Sequence, residues 1–568
     1  MAKEGILVVG HGSKLDYNKN AVSHFAEQLA KRLTPSPVLV GFMNINTPTI
    51  RESLNNLAAG GAKTIYVVPC FLAHGIHTRD DITGELGIPA GSKGGKTKVE
   101  GKAVTIKYCE PIGLDERITD ILEDRVKERM NKEGVGVKVL VMDLTHGGST
   151  LALEYRTRGA EVSAVDCYRT AGEEAKEELE RAGIEYLESS PRKHFDLVVM
   201  PIHCPDSFLE GASYGRRITT HQAVGELCSF EGRIVEVTGT KGKTSTCHVI
   251  AHILNDLGCR VMLLSSRGVF YLGEGEEIIE RRSSIAPPSI LKVWRMRRNF
   301  DFGVFEVSLG GTGLGEIGVI TTIADDYPIA KGTRRAFDGK VQMAAGARRS
   351  LVVREKEKDL WSDLADEGVE IVTFGDGGGV DVKVSPPLIF DEAAELEVYV
   401  DGRKELSVEV LGSYLVPSYL PAFSAALATA IEAGAALDDA AEALQSFSGI
   451  PGRGEVRREG GVWLIRERNP GVTASSVDFN LTCLRDHYDL KRIGVVIEPT
   501  TEKVCETLDV VELEKVIMKH QDCVSGAYFL HHFGDKEYEG EVFRLIDDIS
   551  EADKDHDALL WCTKEGFQ

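Results

Sequence analysis

Several absences narrow the field before any motif is read. No apolar run approaches the roughly 20 residues needed to cross a bilayer, and the opening MAKEGILVVGHGS lacks the charged region and long apolar stretch of a signal peptide. A cytoplasmic protein with no membrane partner is expected. The eleven cysteines form no C-x-x-C pair, which speaks against a disulfide framework or a zinc ribbon and for reduced, mostly buried thiols. Basic side chains are in the minority: 66 Lys and Arg stand against 88 Asp and Glu, the net charge is −22, and no basic stripe interrupts that balance. Nucleic acid is therefore excluded as a partner. No internal repeat shows beyond a loose strand–helix alternation, and no low-complexity tract is present.

What remains is an α/β chain. Its 568 residues are too many for one core and suggest three or four domains. The first segment alternates strand and helix on a parallel sheet: GILVVG, a helix over 21–33, PVLVGFM, a helix over 50–59, TIYVVPCFL, VTIKYCEPI and a helix over 118–130. The polar, glycine-bearing joint NKEGVGVK at 131–138 marks a boundary. A Rossmann-like unit follows, with strands VKVLVMDL, EVSAVDC and FDLVVMPI. Its THGGST is only a fragment of a dinucleotide fingerprint and gives no reason to expect bound NAD. These signals predict domains at 1–132, 137–232, 233–404 and 405–568, the last opening with the alanine-rich helix AFSAALATAIEAGAAL.

The clearest chemical signal is VEVTGTKGKTSTCHVI, residues 235–250. A short apolar strand runs into Gly239, Thr240, Lys241, Gly242, Lys243, Thr244 and Ser245, and then into an apolar-periodic helix. Strand, glycine loop and helix turn backbone N–H groups and a helix N-terminus toward phosphate oxygens. Lys243 would meet the terminal phosphates, and the Thr244 hydroxyl would face a Mg²⁺ ion. Glu306, at the end of strand FGVFEVS, is placed as a further Mg²⁺ carboxylate. Two histidines stand at the carboxyl ends of strands in the first domain, His11 in VVGHGSK and His77 in VVPCFLAHGIHTRDD, where open α/β sheets bind ligands. Imidazole suits nickel, cobalt, iron or zinc. Neighbouring His74 reads as structural, and Asp80 and Asp81 as helix-cap carboxylates or neutralisers of a dication.

LVVGHGSKLDYNK, MNINTPTIRESL, GAKTIYVVPCFLAHGIHTRDDI and CEPIGLDERITDIL together resemble the short archaeal sirohydrochlorin chelatases, over about residues 4–125. The resemblance implies that His11 and His77 hold the Ni²⁺ or Co²⁺ being inserted, that the substrate is a tetrapyrrole in a cleft, and that the domain forms a homodimer. The phosphate loop with ITTIADDYPIAKG, IVTFGD, LGSYLVPSYLPAF, FSGIPGRGEV and IRERNPG resembles the Mur ligase family, over about residues 137–568. That likeness implies ATP and Mg²⁺, activation of a carboxylate as an acyl phosphate, Lys243, Thr244 and Glu306 in the roles just given, and Arg453, followed by Glu455, facing the nucleotide from the last domain. The chain departs from the pattern at Lys241, where Asn or His is common, and at Asp325-Asp326-Tyr327, where Asp-His is common, so that Asp326 is the candidate carboxylate of a second Mg²⁺ site. It also lacks the His-Asn dipeptide expected near the adenine. Lys340 is a candidate for the family's carbamylated lysine.

These departures resemble those of coenzyme F-430 synthase, the Mur-like enzyme that closes a propionate side chain onto a ring carbon of a nickel tetrapyrrole. A chelatase fused to such a ligase would join the first and last steps of one pathway, which favours nickel. Residues 281–289, RRSSIAPPS, lie where related enzymes contact substrate. Two other readings are a cobalt chelatase fused to an amide-forming ligase, and a non-catalytic metal or tetrapyrrole carrier on an ATP-dependent ligase.

Overall fold

The computed structural model describes residues 4–14, 16–115, 117–119, 121–122, 136–469, 471–499, 508–530, 540–552 and 555–564. It divides into two compact units, Met1–Glu133 and Gly134–Gln568. Most of the helix expected over 118–130 and of the joint at 131–138 lies outside the described residues.

The first unit is a five-stranded sheet in the order Val38–Phe42, Glu4–Gly10, Thr64–Pro69, Lys102–Tyr108, Gly94–Val99. Alternate residues of the Glu4–Gly10 strand feed two layers. Leu7 and Val9 pack with Ile50, Leu54 and Ile65, and Ile6 and Val8 pack with Val22 and Ala26. Burial on both faces explains why this strand reads as a continuous apolar run. Four strands are parallel, as expected, but Gly94–Val99 runs antiparallel to its neighbour. That strand, GGKTKV, carries little strand propensity. It is placed by a two-residue hairpin at Glu100 and Gly101, both at positive φ.

The second unit holds three larger sheets and a two-stranded pair, Pro328–Ile329 with Arg334–Arg335, among its described residues. A five-stranded parallel sheet runs Ser213–Ile218, His194–Val199, Lys138–Met142, Glu161–Val165, Glu185–Leu187. An eleven-stranded sheet has Arg233–Thr238 near its middle, between the parallel strands Phe302–Glu306 and Ile317–Ile320, so the phosphate loop leaves the sheet beside the end of the strand that carries Glu306. The third sheet has six strands, starting at Arg453–Glu459.

The boundary expected at 404/405 falls inside the strand Arg403–Val410, which continues the central sheet. The alanine-rich helix Leu420–Glu432 is likewise part of the central domain. It lies on the phosphate-loop helix Lys243–Asp256 and on the sheet, with Ala422 through Ala430 all buried in one core with Cys247, Ile250 and Leu254. The last sheet has its own core of Val456, Ile465, Val477, Leu481 and Val495. An alanine-rich helix has no apolar stripe of large side chains to reveal its partner, which is why the sequence placed it one domain too late. Among the described residues no helix is long and apolar enough to cross a membrane.

Candidate active sites

In the first unit the GHGS turn is fixed by its backbone. Gly12 sits at φ +85°, and a Cβ there would lie 1.9 Å from the Asn44 carbonyl oxygen, so only glycine fits. Asn18 and Asn46 accept the N–H groups of Gly12 (3.0 Å) and Ser13 (2.7 Å). The turn aims His11 at His77, with ring centroids 5.1 Å apart and planes at 76°. His11 Nδ1 lies 2.9 Å from the Gly12 carbonyl oxygen, and His77 Nδ1 lies 2.7 Å from Asp81 Oδ2. Both partners can only accept, so each ring carries its proton on Nδ1 and presents the Nε2 lone pair, the arrangement of an oriented metal ligand. His74 is turned away, to Glu110 (2.7 Å). Asp81 thus serves His77 directly, beyond the capping expected of it.

In the second unit a cleft of about 2750 Å³ takes in the phosphate loop, residues 281–287 and the facing edge of the last domain. Gly239, at φ +145°, passes so close to Thr321 that a Cβ would come within 2.0 Å of its hydroxyl oxygen. The Thr240 N–H donates to the Thr322 carbonyl (2.9 Å), which pins the loop to the next strand, and Gly242 (φ +79°) turns the chain into the helix. The Lys243 ammonium folds back onto the Gly239 carbonyl (3.0 Å). Although that side chain keeps some contact with solvent in the cleft, burial pushes its pKa down, with Glu306 opposing and Arg453 adding to the fall. Thr244 Oγ1 donates to Glu306 Oε1 (3.0 Å), and Glu306 Oε2 accepts from the Ser266 N–H (2.9 Å). Arg453 Nη2 donates to the same Thr244 oxygen (3.2 Å), so Thr244, Glu306, Ser266 and Arg453, from four separate segments, converge beside Lys243. A hydroxyl and a carboxylate 3.0 Å apart make an oxygen donor set that fits Mg²⁺. Ser245 also lines the cleft.

The remaining candidates are placed differently. Glu455 accepts the Gly452 N–H (3.0 Å) and pairs with Arg457, so it shapes the turn that carries Arg453. Asp326 is engaged at both oxygens, by Arg335 Nε (2.6 Å) and by the Phe337 N–H (2.8 Å), and holds the start of the helix Ala336–Gly346. Lys340 is buried, with its ammonium 3.3 Å from the Ala336 carbonyl oxygen and 5.8 Å from the Tyr327 ring centre. Burial, then the charge of Lys243, pulls it down to about 8 against the pull of Asp326. Lys241 pairs with Asp325 of its own domain (2.6 Å) and reaches Ser475 in the last. Residues 281–287 do line the cleft.

Sequence reasoning missed three groups on the same walls. His248 bonds Ser265 (3.1 Å) and is pushed down to about 3 by burial and by Arg267 and Arg453. Arg267 donates to the Pro451 carbonyl, and half-buried Glu467, raised by desolvation against the pull of Arg453, accepts the Gly454 N–H (2.8 Å). His248 falls within the stretch 235–250 and Glu467 within IRERNPG, but neither stretch marks it as a site residue, and Arg267 belongs to no local motif. His248 alone, one turn past the phosphate loop on the same helix, was within reach of a spacing argument.

Two family models match, CbiX over residues 5–129 and the Mur ligase middle domain over 237–426. With the geometry above they define the class: an enzyme that joins a metal chelatase to an ATP-dependent ligase of Mur type. The coenzyme F(430) synthetase of Methanosarcina acetivorans is 30% identical over 402 residues, covering 65% of this chain and 85% of that one. The sirohydrochlorin cobaltochelatase of Methanothermobacter thermautotrophicus is 42% identical over 135 residues, covering 22% of this chain and 92% of that one. Among solved structures, MurF from Acinetobacter baumannii aligns at a TM-score of 0.46 with 14% identity, covering 76% of this chain and 90% of that one. The chain belongs to the sirohydrochlorin chelatase family over its first unit and to the coenzyme F(430) synthetase family over its second.

Proposed function

We propose that the protein is a bifunctional tetrapyrrole enzyme. Its first unit inserts Ni²⁺, or Co²⁺, into sirohydrochlorin, and its second uses ATP to activate a propionate side chain and close it onto a ring carbon, giving coenzyme F-430. The observation that carries this reading is the convergence of Lys243, Thr244, Glu306 and Arg453 on one cleft, in a chain that also pairs His11 with His77. The names of the relatives supply sirohydrochlorin as the substrate of the first reaction and coenzyme F(430) as the product of the second.

In the first unit the two Nε2 lone pairs take the incoming dication while the pyrrole nitrogens lose two protons. The likeness to the chelatases supports a homodimer. In the second, a carboxylate oxygen attacks the γ-phosphorus of ATP. Lys243 and Arg453 would clamp the transferring oxygens, and Thr244 with Glu306 would hold Mg²⁺, which offsets phosphate charge. The resulting acyl phosphate makes phosphate the leaving group when the ring carbon attacks. Both reacting groups belong to one molecule, so positioning does much of the work. Lys340, brought down to about 8, is neutral in an appreciable fraction near physiological pH and so is suited to carry a carbamate.

Mass spectrometry of the seco precursor incubated with and without ATP tests the ligase. A ring-closed product that needs ATP and vanishes in Lys243→Ala is expected, and an amide formed with added amines would refute ring closure. For the chelatase, the His11→Ala/His77→Ala protein should lose the accelerated metallation of sirohydrochlorin by Ni²⁺ and by Co²⁺. Unchanged metallation would refute the assignment.

A further inference from the structure

The cleft carries a second chemical group away from the phosphate loop. The neighbouring parallel strands Lys138–Met142 and His194–Val199 lead, at their carboxyl ends, into Asp143, His146 and His203. Asp143 is fully buried, and its Oδ2 lies 2.6 Å from His146 Nδ1 and 2.7 Å from His203 Nε2, while Oδ1 accepts the Thr145 N–H (3.1 Å). Burial pushes the Asp143 carboxyl up, but the two imidazole hydrogen bonds outweigh it and hold the group well below the usual carboxylate range. It is therefore an anion and only accepts. Each imidazole then carries its proton toward Asp143 and leaves a bare nitrogen on its other side, His146 Nε2 and His203 Nδ1.

Both histidines line the same cleft as Lys243 and Arg453. His203 is stacked on Tyr168 (6.1 Å between centres), whose hydroxyl donates to the His203 carbonyl. Beside His203, buried His221 donates to the Ser308 carbonyl (2.7 Å), two residues past Glu306, so the group adjoins the end of the glutamate's strand. Asp143 adopts φ +64°, ψ 93°, and Gly147 abuts Pro288, where a Cβ would lie 2.7 Å from the proline ring. A non-glycine residue held at positive φ by a braced turn is backbone strain of the kind that collects at functional sites.

We infer that Asp143, His146 and His203 form the proton acceptor of the ring closure proposed above, with His146 Nε2 taking the proton from the attacking carbon. The inference rests on that reading. An electron pair of the ring carbon forms the new C–C bond to the acyl carbon, the C–O bond to phosphate breaks, and phosphate leaves with its electron pair. The proton on the attacking carbon passes to His146, its bonding pair restores the ring double bond, and the imidazolium beside Asp143 later returns the proton to water. The link to Asp143 raises the affinity of His146 for a proton, and the more enclosed His203 is a positioning residue that holds the carboxylate from its other side. The 2.6 and 2.7 Å separations are those of charge-assisted hydrogen bonds.

The test uses the full chain with ATP, Mg²⁺ and the seco precursor, following two products: ring ketone by mass spectrometry and acyl phosphate trapped as the hydroxamate. In His146→Gly, acyl phosphate should form at nearly the wild-type rate while ring closure falls by ~10²–10⁴-fold and recovers in part with added imidazole. His203→Gln should lose less and show no rescue, and His146→Gln provides the same partition if the glycine variant folds poorly. Ring closure within about threefold of wild type in the His146 variants, equal loss of acyl phosphate, or failure of imidazole rescue would each overturn the inference. So would a displaced visible band of the bound nickel chromophore in His146→Gly, which would make His146 a ligand of the metal. If wild-type protein makes no ring ketone, the ring-closure reading itself falls; if wild type and variants both make it, only the proton acceptor falls.

Discussion

Replacing Lys340 by methionine should make the second unit more stable and its ligase inactive. The side chain is 1% exposed, and its ammonium has a single carbonyl at 3.3 Å, because Asp326, the nearby carboxylate, is engaged by Arg335 and the Phe337 N–H. Burial and Lys243 bring its pKa from 10.5 down to about 8. In the unfolded chain the lysine takes a proton near 10.5, and in the folded protein only near 8. As pH falls between those values, the unfolded state binds the proton first and the fold loses about 1.4 kcal/mol per pH unit. The loss is complete below pH 8 and amounts to about 3 kcal/mol. Methionine keeps the volume and removes the charge, so Lys340→Met should gain about that much at pH 7, shrinking below ~1 kcal/mol by pH 10. Denaturant unfolding of both proteins at the two pH values reads the difference. The same shift leaves about a quarter of Lys340 neutral at pH 7.5, against about a thousandth for an ordinary lysine, which is the form that attacks CO₂. A variant no more stable than wild type at pH 7, or a gain that ignores pH, would refute the reasoning.

Three further outcomes follow from the geometry. Asp81→Asn should slow metal insertion about 10–100-fold by releasing the His77 ring, while His74→Ala, which loses contacts to Glu110 and Thr78 and none to His77, should change it less than about twofold; the visible band of metallated sirohydrochlorin reports both. Arg453→Ala removes the donor that reaches Thr244 from the last domain and should lower ADP release by about 10²–10³-fold in a coupled assay. Gly12→Ala must move the Asn44 carbonyl or the turn, and should cost about 2–4 kcal/mol in thermal unfolding of the first unit together with its metal insertion.

Features written in consecutive residues were legible in the sequence. Gly239 through Thr244, with a strand before and a helix after, announced the phosphate loop, and Glu306 was readable because it ends an apolar strand. Their meeting with Arg453 needed the family pattern, since more than 140 residues separate that arginine from Glu306. What stayed hidden depends on neighbours that only folding supplies. Asp143 and His203 are 60 residues apart and meet because their strands are adjacent in the sheet. Asp326 reads from its sequence context as a candidate metal carboxylate, and its partners Arg335 and the Phe337 N–H, 9 and 11 residues on, are set by the fold. The strand Gly94–Val99 was missed because its register comes from a hairpin, against the propensity of its own glycines and lysines.

The alanine-rich helix beneath the phosphate loop carries a further consequence. Side chains no larger than a methyl group line much of its contact with the helix that begins at Lys243, so the thickness of that layer sets how far the loop stands from the sheet. Residues that never touch nucleotide thereby act as a shim under those that would. Adding a few methylenes at Ala426 or Ala430 would tilt the platform itself, which makes this plain stretch of sequence among the least forgiving in the ligase to enlargement.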